Sequence, residues 1–340
     1  MRWVLLLLLA ACATTPEPDR REVVFDAPAL PFDPRTYACA RAPGPIGIDG
    51  EIDEAAWEAA PWSEEFVDIE GSLKPKPRHR TRMKMLWDDQ HLYVAVEMEE
   101  PHLQASFEQR DSFIFQQDND IEVFLDPDAD THDYMELEVN ALATEWDLFL
   151  TRPYRDGGMA LHGWDIQGLR SAVQLDGTLN DGSDVDRGWT FEVAFPWKGM
   201  AEAAGRACPP GIGDRWRINL SRVQWKFRFE EGRYVKAKGA KEDNWVWSPQ
   251  GLISMHYPER WGIVQFTKKA GSVEVLEEDE VREALRWEYY LMRGWKRKTG
   301  SYEGALVGAV SGDSFELSRE LSDGRRMIIR QDGWVGIVGK

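Results

Sequence analysis

The chain has 340 residues, and its 59 acidic and 41 basic side chains give a formal net charge of −18 at pH 7. Nucleic acids and anionic lipid headgroups bind basic surfaces, so this charge argues against both as partners. A chain of this length accommodates one large core and a smaller appendage. We predict a leader over residues 1–11, a tether over 12–37, a main domain over 38–269 and an appendage over 270–340.

The N-terminal segment has the pattern of an export signal. Arg2 precedes an apolar run over residues 3–9, and small residues then lead to Cys12. The run is too short to remain in a bilayer as a permanent helix. The pattern resembles a bacterial lipoprotein signal, which implies a lipid on Cys12, a tether after it and a place at the cell envelope, on its periplasmic or outer-membrane face. An ordinary secretory signal with an incidental cysteine is the alternative.

Two cysteines remain once Cys12 is assigned to the lipid. In an oxidising compartment Cys39 and Cys208 are expected to pair, so we predict a disulfide bond between them. They lack metal-ligand spacing, and the sequence contains no HExxH or CxxC motif to accompany them.

Short strands dominate the chain before residue 270. Residues 82–87 and 91–97 read as a hairpin, and alternating apolar residues recur over 189–195, 216–225 and 261–266. A further short strand is predicted at 46–49, followed by a short helix over 51–57. Many short strands with loop-rich connections indicate an all-β fold, an antiparallel β-sandwich.

A hairpin over residues 121–126 and 134–141 carries the most informative pattern. Its apolar residues share one face, and the opposite face bears carboxylates and an amide, at Glu122, Glu136, Glu138 and Asn140. Antiparallel sheets commonly have one solvated side, so this face is either the wet outside of the sandwich or the floor of a polar ligand site.

Tryptophans provide candidate flat surfaces for a ligand. Trp225 follows a strand, and Asn244, Trp245 and Trp247 end a polar loop that is rich in lysine from residue 236 to 241. Trp245 and Trp247 share one face at strand spacing, and the Asn244 amide could bond hydroxyl groups. Packing in the core is the alternative for each of these rings.

Several ordered segments resemble the carbohydrate-binding module family 9-like domain. They are IDGEIDEAAW at 48–57, LWDDQHLYVAV at 86–96, DIEVFLDP at 120–127, EVNA at 138–141, EVAFPW at 192–197, WRINLSR at 216–222, WSP at 247–249 and HYPERWG at 256–262. The resemblance implies a β-sandwich of the DOMON-like group that binds sugar, with Glu122 and Asn140 in the positions of sugar-binding residues. In members of the family that bind sugar, two tryptophans sandwich the sugar ring and an arginine belongs to the sugar site. This chain has Gln116 and Met255 at the positions of the two tryptophans and Glu138 at the position of the arginine.

These features predict a non-catalytic protein that binds neutral oligo- or polysaccharides and supports polysaccharide catabolism. The predicted ligand site comprises Glu122, Glu138, Asn140, Trp225, Asn244, Trp245 and Trp247. A scaffold that kept the fold and lost the sugar site is one alternative. Another is a haem-binding DOMON-like redox protein, for which Met83, Met85, Met98, Met255 and His256 would offer axial ligands.

Paired carboxylates are also the catalytic groups of glycoside hydrolases, so this class of enzyme is an alternative. Glu122, Glu136 and Glu138 could in principle act as acid and base, but their spacing in sequence does not define the separation that mechanism needs, and we expect no enzymatic activity. No cofactor is expected either. Calcium binding is possible at two acidic runs, Asp126–Asp130 and Asp181–Asp186. Neither run completes an EF-hand pattern, so both are interpreted as solvated turns.

The composition changes after residue 270. Apolar residues recur at helical spacing over 281–295, and hairpin turns follow at residues 322–324 and 331–333. This segment predicts a small helix-plus-hairpin appendage. It either packs on the sandwich or docks a protein partner.

Overall fold

The computed structural model describes residues 27–305 and 309–339. The leader and Cys12 lie outside the described residues, so the lipid anchor stays a prediction. Over the described ranges, no helix has both the length and the apolar character that crossing a bilayer requires.

The main domain is built from short strands and very little helix. Its strands are β1 (Thr36–Arg41), β2 (Val67–Asp68), β3 (Thr81–Trp87), β4 (His91–Glu99), β5 (Asp120–Asp126), β6 (Tyr134–Asn140), β7 (Glu145–Leu150), β8 (Ala160–Leu161), β9 (Arg170–Asp176), β10 (Gly188–Pro196), β11 (Arg215–Gln224), β12 (Phe227–Glu230), β13 (Arg233–Lys236), β14 (Asp243–Val246) and β15 (Gly262–Thr267). Its helices are α1 (Trp197–Met200) and the 3₁₀ turns Ala55–Ala59, Gly71–Leu73, Ile114–Gln116, Tyr154–Asp156 and Pro258–Arg260.

One curled sheet forms the sandwich. Its strand order is β8-β7-β6-β5-β11-β15-β1-β3-β4-β10-β9, and β14 pairs with both β11 and β2. Pairing is antiparallel except at β1, which runs parallel to β15 and to β3. The two halves of the sheet enclose the main core, to which Val123 and Leu137 contribute from one half and Val94 and Phe191 from the other. The predicted all-β sandwich is confirmed, with a mixed rather than purely antiparallel sheet.

The predicted hairpins form in the expected register. Strand β3 pairs with β4, and Glu122 of β5 lies opposite Glu138 of β6. The strand predicted at residues 46–49 is absent from this described segment, because carboxylates bind its backbone: Gly47 N donates to Glu54 Oε1, and Asp49 N donates to Glu192 Oε2. The short helix predicted over 51–57 is a 3₁₀ turn from Ala55 to Ala59.

The C-terminal segment packs on the sandwich. It consists of α2 (Glu277–Thr299) and a four-stranded antiparallel sheet of β16 (Ala309–Ser311), β17 (Ser314–Glu320), β18 (Arg326–Arg330) and β19 (Val335–Val338). Its core includes Tyr289 and Ile329 together with Tyr257 of the main domain. At the start of α2, Asp279 accepts a hydrogen bond from Leu276 N and lies 2.8 Å from Arg217 Nη2 on β11. The helix is therefore capped and anchored by the same carboxylate.

The predicted disulfide bond is wrong. Cys39 and Cys208 are both free thiols. Cys39 is fully buried within β1 in the main core, whereas Cys208 is half-buried and its Sγ donates a hydrogen bond of 3.3 Å to the Trp197 carbonyl. Counting thiols could not reveal this arrangement, because pairing depends on where the two side chains point.

Candidate functional site

The polar face of β5 and β6 is buried, and its interpretation as a solvated outer face is wrong. Asp120, Glu122, Glu136 and Glu138, which we call the acidic cluster, are between 0% and 5% exposed. A second, smaller apolar core covers this side of the sheet, with Phe124, Trp146 and Trp261 among its members. The carboxylates consequently lie between two apolar layers.

Strand register brings these carboxylates together. Glu122 lies opposite Glu138 on one side and Ser221 of β11 on the other. Asp120 and Glu136 sit two residues along their strands, and side chains at that spacing point to the same face. One carboxylate oxygen from each of Asp120, Glu122 and Glu138 lies within 4.8 Å of the others. The sequence had placed Glu122 and Glu138 on one face but had not included Asp120.

Few donors reach the cluster. Phe115 N donates a hydrogen bond of 3.3 Å to Glu138 Oε2, while both oxygens of Asp120 and one each of Glu122 and Glu136 are buried without a partner. Burial raises the pKa of Glu122 to about 7. Burial, followed by the charge of neighbouring carboxylates, raises the pKa of Asp120 and of Glu138 well above the usual range. Both causes disfavour the charged form of a carboxyl group: burial removes water from it, and a neighbouring negative charge repels it.

The β12–β13 hairpin lies near one side of the cluster. Lys236 Nζ lies 3.0 Å from the centre of the Trp225 ring and donates to the Gln116 carbonyl. Trp225 Nε1 donates a hydrogen bond of 2.8 Å to the Phe115 carbonyl. Burial lowers the pKa of Lys236 to about 8. Trp225 is half-buried, and the lysine occupies one face of its ring.

Exposed aromatic rings lie beside the cluster. Phe113 is 46% exposed and contacts Trp146 at 4.8 Å between ring centres, and Trp146 in turn is stacked on Phe115. Tyr154 is 48% exposed. Burial and then the charges of Glu136 and Glu138 raise the pKa of Tyr154 to about 12. Sequence reasoning missed Phe113, although the aromatic spacing in Phe113-Ile114-Phe115 was a usable signal.

Asn140 is committed to structure, so its predicted role as a free hydrogen-bonding partner for a ligand is wrong. Its Nδ2 donates to the Phe107 carbonyl and to Asp118 Oδ2, both at 2.9 Å. Its Oδ1 accepts hydrogen bonds from Leu142 N and Thr144 N. All the donors and acceptors of this amide are thus used in shaping the turn after β6.

Trp245 and Trp247 are core residues with no accessible ring face. They are 2% and 1% exposed, and both belong to the main core. Trp245 packs beneath Arg222, whose guanidinium lies 5.3 Å from the ring centre. Packing rather than ligand stacking therefore explains both rings. Asn244 lies opposite Val223 in the β11–β14 pair and is half-buried.

The residues considered for haem do not converge. Met83, Met85 and Met98 lie in the main core, while Met255 belongs to the second core. His256 Nδ1 lies 2.9 Å from the Tyr134 hydroxyl, and burial lowers the pKa of the histidine to about 3. The sheet separates Met83, Met85 and Met98 from the histidine, which contacts Phe124 of the second core.

The two acidic runs considered for calcium are structural turns, and their interpretation as solvated is only partly correct. Asp126 is fully buried and accepts hydrogen bonds from Ala129 N and Thr131 N. Asp130 Oδ2 accepts a bond from Trp334 Nε1 of the appendage. In the second run, Asp186 is buried and accepts from Leu103 N and Thr178 N, while Asp184 is exposed.

Part of the main domain is similar to a known protein family. Residues 48–209 match the model of the family "Carbohydrate family 9 binding domain-like". No curated protein is significantly similar to the chain.

Solved structures with detectable similarity to this chain have low sequence identity to it. A candidate carbohydrate-binding protein from Bacteroides uniformis ATCC 8492 is 12% identical, with a TM-score of 0.51 over 69% of this chain and 100% of that one, which shows a common fold. A carbohydrate binding module family 9 from Caldicellulosiruptor kristjanssonii was solved with cellotriose and with glucose. Its TM-score is 0.45 in both cases, with identities of 16% and 15% over 71% of this chain and 100% of that one.

Proposed function

We propose that this chain is an exported, lipid-anchored and non-catalytic protein that binds neutral carbohydrate through its family 9-like domain and supports polysaccharide catabolism. The observation that carries the proposal is the pair of exposed rings, Phe113 and Tyr154, beside the acidic cluster within the region that matches the family model. Flat aromatic faces bury the apolar side of a sugar ring, and carboxylates accept hydrogen bonds from its hydroxyl groups.

Access to the carboxylates depends on the β12–β13 hairpin in this proposal. Glu122 and Glu138 are 5% and 2% exposed, so a ligand reaches them only after covering residues move, and the proposal assigns this movement to the hairpin whose Lys236 contacts the Gln116 carbonyl. The energy spent on opening lowers affinity, and we expect dissociation constants in the range of roughly micromolar to millimolar. The net charge of −18 disfavours polyanionic glycans.

An array of neutral glycans followed by calorimetry tests the proposal. Tyr154→Ala and Phe113→Ala each remove one exposed ring and should weaken binding about fivefold to 150-fold if each ring contributes about 1–3 kcal/mol. Glu122→Ala should also weaken binding. Trp295→Ala, which removes a half-buried ring on α2, is the matched control and should bind like the parent chain.

A scaffold that uses the same fold without a sugar site is the second candidate. The commitment of Asn140, Trp245 and Trp247 to structural contacts favours it. Absence of binding to every neutral glycan, or binding that is indifferent to Glu122, Phe113 and Tyr154, would leave the scaffold as the better account.

The anchor has its own test. Cys12→Ser removes the sulfur that a lipid would occupy, and the variant should move from the membrane fraction to the soluble fraction of the cell envelope. A variant that stays with the membrane would contradict lipid attachment at this residue. The glycan measurement is unaffected by that outcome, because it uses the folded domain in solution.

A further inference from the structure

Asp120 is the member of the acidic cluster in which both carboxylate oxygens are buried without a hydrogen-bond partner. It is fully buried, and neither of its oxygens has a partner at hydrogen-bonding distance and angle; the Val223 N–H only partly offsets the effect of burial on its pKa. Asp118, two residues earlier on the same face, is also fully buried, but its oxygens accept hydrogen bonds from Ser106 N, Phe107 N and Asn140 Nδ2. A buried carboxylate without a partner is strongly destabilising, so Asp120 calls for a ligand that the protein chain does not supply.

Other groups of acidic side chains in the described ranges are neutralised or bonded internally. Trp57 Nε1 and Gly50 N donate to Glu192, the Arg110 guanidinium pairs with Asp147, and backbone N–H groups with Trp334 Nε1 bind the oxygens of the Asp126–Asp130 turn. The acidic cluster lacks this compensation. One further oxygen of Glu122 and one of Glu136 are buried without partners, beside the two oxygens of Asp120.

The lysine beside the cluster does not provide the missing cation. Lys236 Nζ donates its hydrogen bond to the uncharged Gln116 carbonyl and lies against the Trp225 ring. Four carboxylates therefore share one desolvated layer without a bonded counter-charge. A small cation in their midst would supply it.

The geometry matches a hard divalent cation. Oxygens of Asp120, Glu122 and Glu138 lie within 4.8 Å of one another, which is about twice the Ca²⁺–oxygen distance of roughly 2.3–2.6 Å. Three oxygens at such separations can surround one ion. Ser221 contributes another potential ligand, because its hydroxyl is buried and acts on the carboxylate of Glu122, the residue opposite it in the β5–β11 pair.

We propose that Asp120, Glu122 and Glu138 bind one calcium ion in the interior of the sandwich, with Glu136 and Ser221 completing its surroundings. Calcium is favoured over zinc because every ligand is an oxygen, and over magnesium because several carboxylates crowd the position and leave little room for the water shell that Mg²⁺ retains. The ion joins β5, β6 and β11, so its binding stabilises the sheet. This site is distinct from the acidic turns at Asp126–Asp130 and Asp181–Asp186.

The proposal stands whether or not the domain binds carbohydrate. The experiment uses the full chain after treatment with a chelator and removal of the chelator, without any glycan. Titration calorimetry with CaCl₂ or MgCl₂, native mass spectrometry and thermal unfolding are then compared. We expect one calcium ion per chain, a higher melting temperature with calcium, and at least a tenfold preference over magnesium.

Variants locate the ion. Asp120→Asn and Glu138→Gln each remove one charged ligand and should weaken calcium binding about tenfold or more. Asp128→Asn, in the acidic turn after β5, is the matched control and should leave calcium affinity unchanged.

Three results would overturn the proposal. They are failure of the parent chain to bind calcium at millimolar concentration, an unchanged affinity in both Asp120→Asn and Glu138→Gln, or loss of binding in Asp128→Asn alone. If one cluster variant fails to fold, the other variant and the titration of the parent chain still decide the matter. Glycan binding is measured separately, so failure of this site leaves the proposed function to its own test.

Discussion

Trp334 Nε1 donates a hydrogen bond of 2.6 Å to Asp130 Oδ2. Trp334 belongs to the turn between β18 and β19, and Asp130 lies in the loop that joins β5 to β6, so this bond ties the appendage to the hairpin that carries the acidic cluster. Thr131 Oγ1 adds a bond of 3.0 Å to the Gly333 carbonyl. The appendage thus supports the turn of that hairpin directly.

Replacing Trp334 with phenylalanine should weaken this attachment. The change removes the donor and leaves a partly buried carboxylate oxygen unsatisfied, which should lower the free energy of unfolding by about 1–3 kcal/mol. Chemical denaturation measures the loss. Trp295→Phe is the control, since its indole donates to the Glu303 carbonyl at an exposed position and the expected change is below about 0.5 kcal/mol. Equal losses in the two variants would contradict a specific role for the Trp334 bond.

Core and surface tryptophans should respond differently to truncation. Trp245→Ala empties a site in the main core and should cost about 3–5 kcal/mol of stability. Trp225→Ala removes a half-buried ring and should cost clearly less, because solvent can fill the space. Equilibrium unfolding in urea compares them. If Trp245→Ala were as stable as Trp225→Ala, the assignment of Trp245 to the core would be wrong.

Glu259 should make the stability depend on pH in the acid range. Burial opposes its ionisation, but Arg155 at 2.7 Å and Arg286 outweigh burial and lower the pKa of Glu259 to about 2. A carboxylate with a lowered pKa stabilises the fold above its ordinary pKa of 4.5, and this stabilisation declines as pH falls from there towards about 2. The free energy of unfolding should therefore fall over this window.

Glu259→Gln separates this contribution from the rest. At pH 7 the variant removes the carboxylate that pairs with Arg286 and one of the two that pair with Arg155, and should lose about 3–5 kcal/mol. The difference from the parent chain should shrink as pH falls from about 4.5 to about 2, because the parent carboxylate then becomes protonated. Glu288→Gln, which removes the partner of Arg319 in an exposed ion pair, should cost at most about 1 kcal/mol at any pH. A constant difference across the window would refute the role of Glu259.

Cys39 and Cys208 should react with an alkylating reagent as two independent free thiols. Burial raises the pKa of Cys208 to about 11 and that of the fully buried Cys39 well above the usual range, so neither thiolate is abundant at pH 8. We expect slow alkylation of Cys208 in the folded protein and alkylation of Cys39 only after unfolding, without any reductant. Peptide mass spectrometry measures both. A non-reduced peptide joining Cys39 to Cys208 would contradict the structure.

Much of the sheet could be predicted from the sequence because strand periodicity is local. The alternation over residues 121–126 and 134–141 predicted β5, β6 and their shared apolar face, and the register confirms Glu122 opposite Glu138. Pairing of the thiols and the use of the Asn140 amide could not be predicted in this way. Both depend on contacts between segments that are distant in the chain.

The sequence by itself determined the β5–β6 hairpin and placed its carboxylates on one face. A period of two residues separates the faces of a strand, but it does not say what lies above each of them. The tertiary structure decided that the polar face is covered, because the second core around Phe124 and Trp261 closes over it, and that Trp245 and Trp247 point into the main core. Whether a polar face meets water or a second layer depends on burial by distant residues, and burial belongs to the folded chain as a whole.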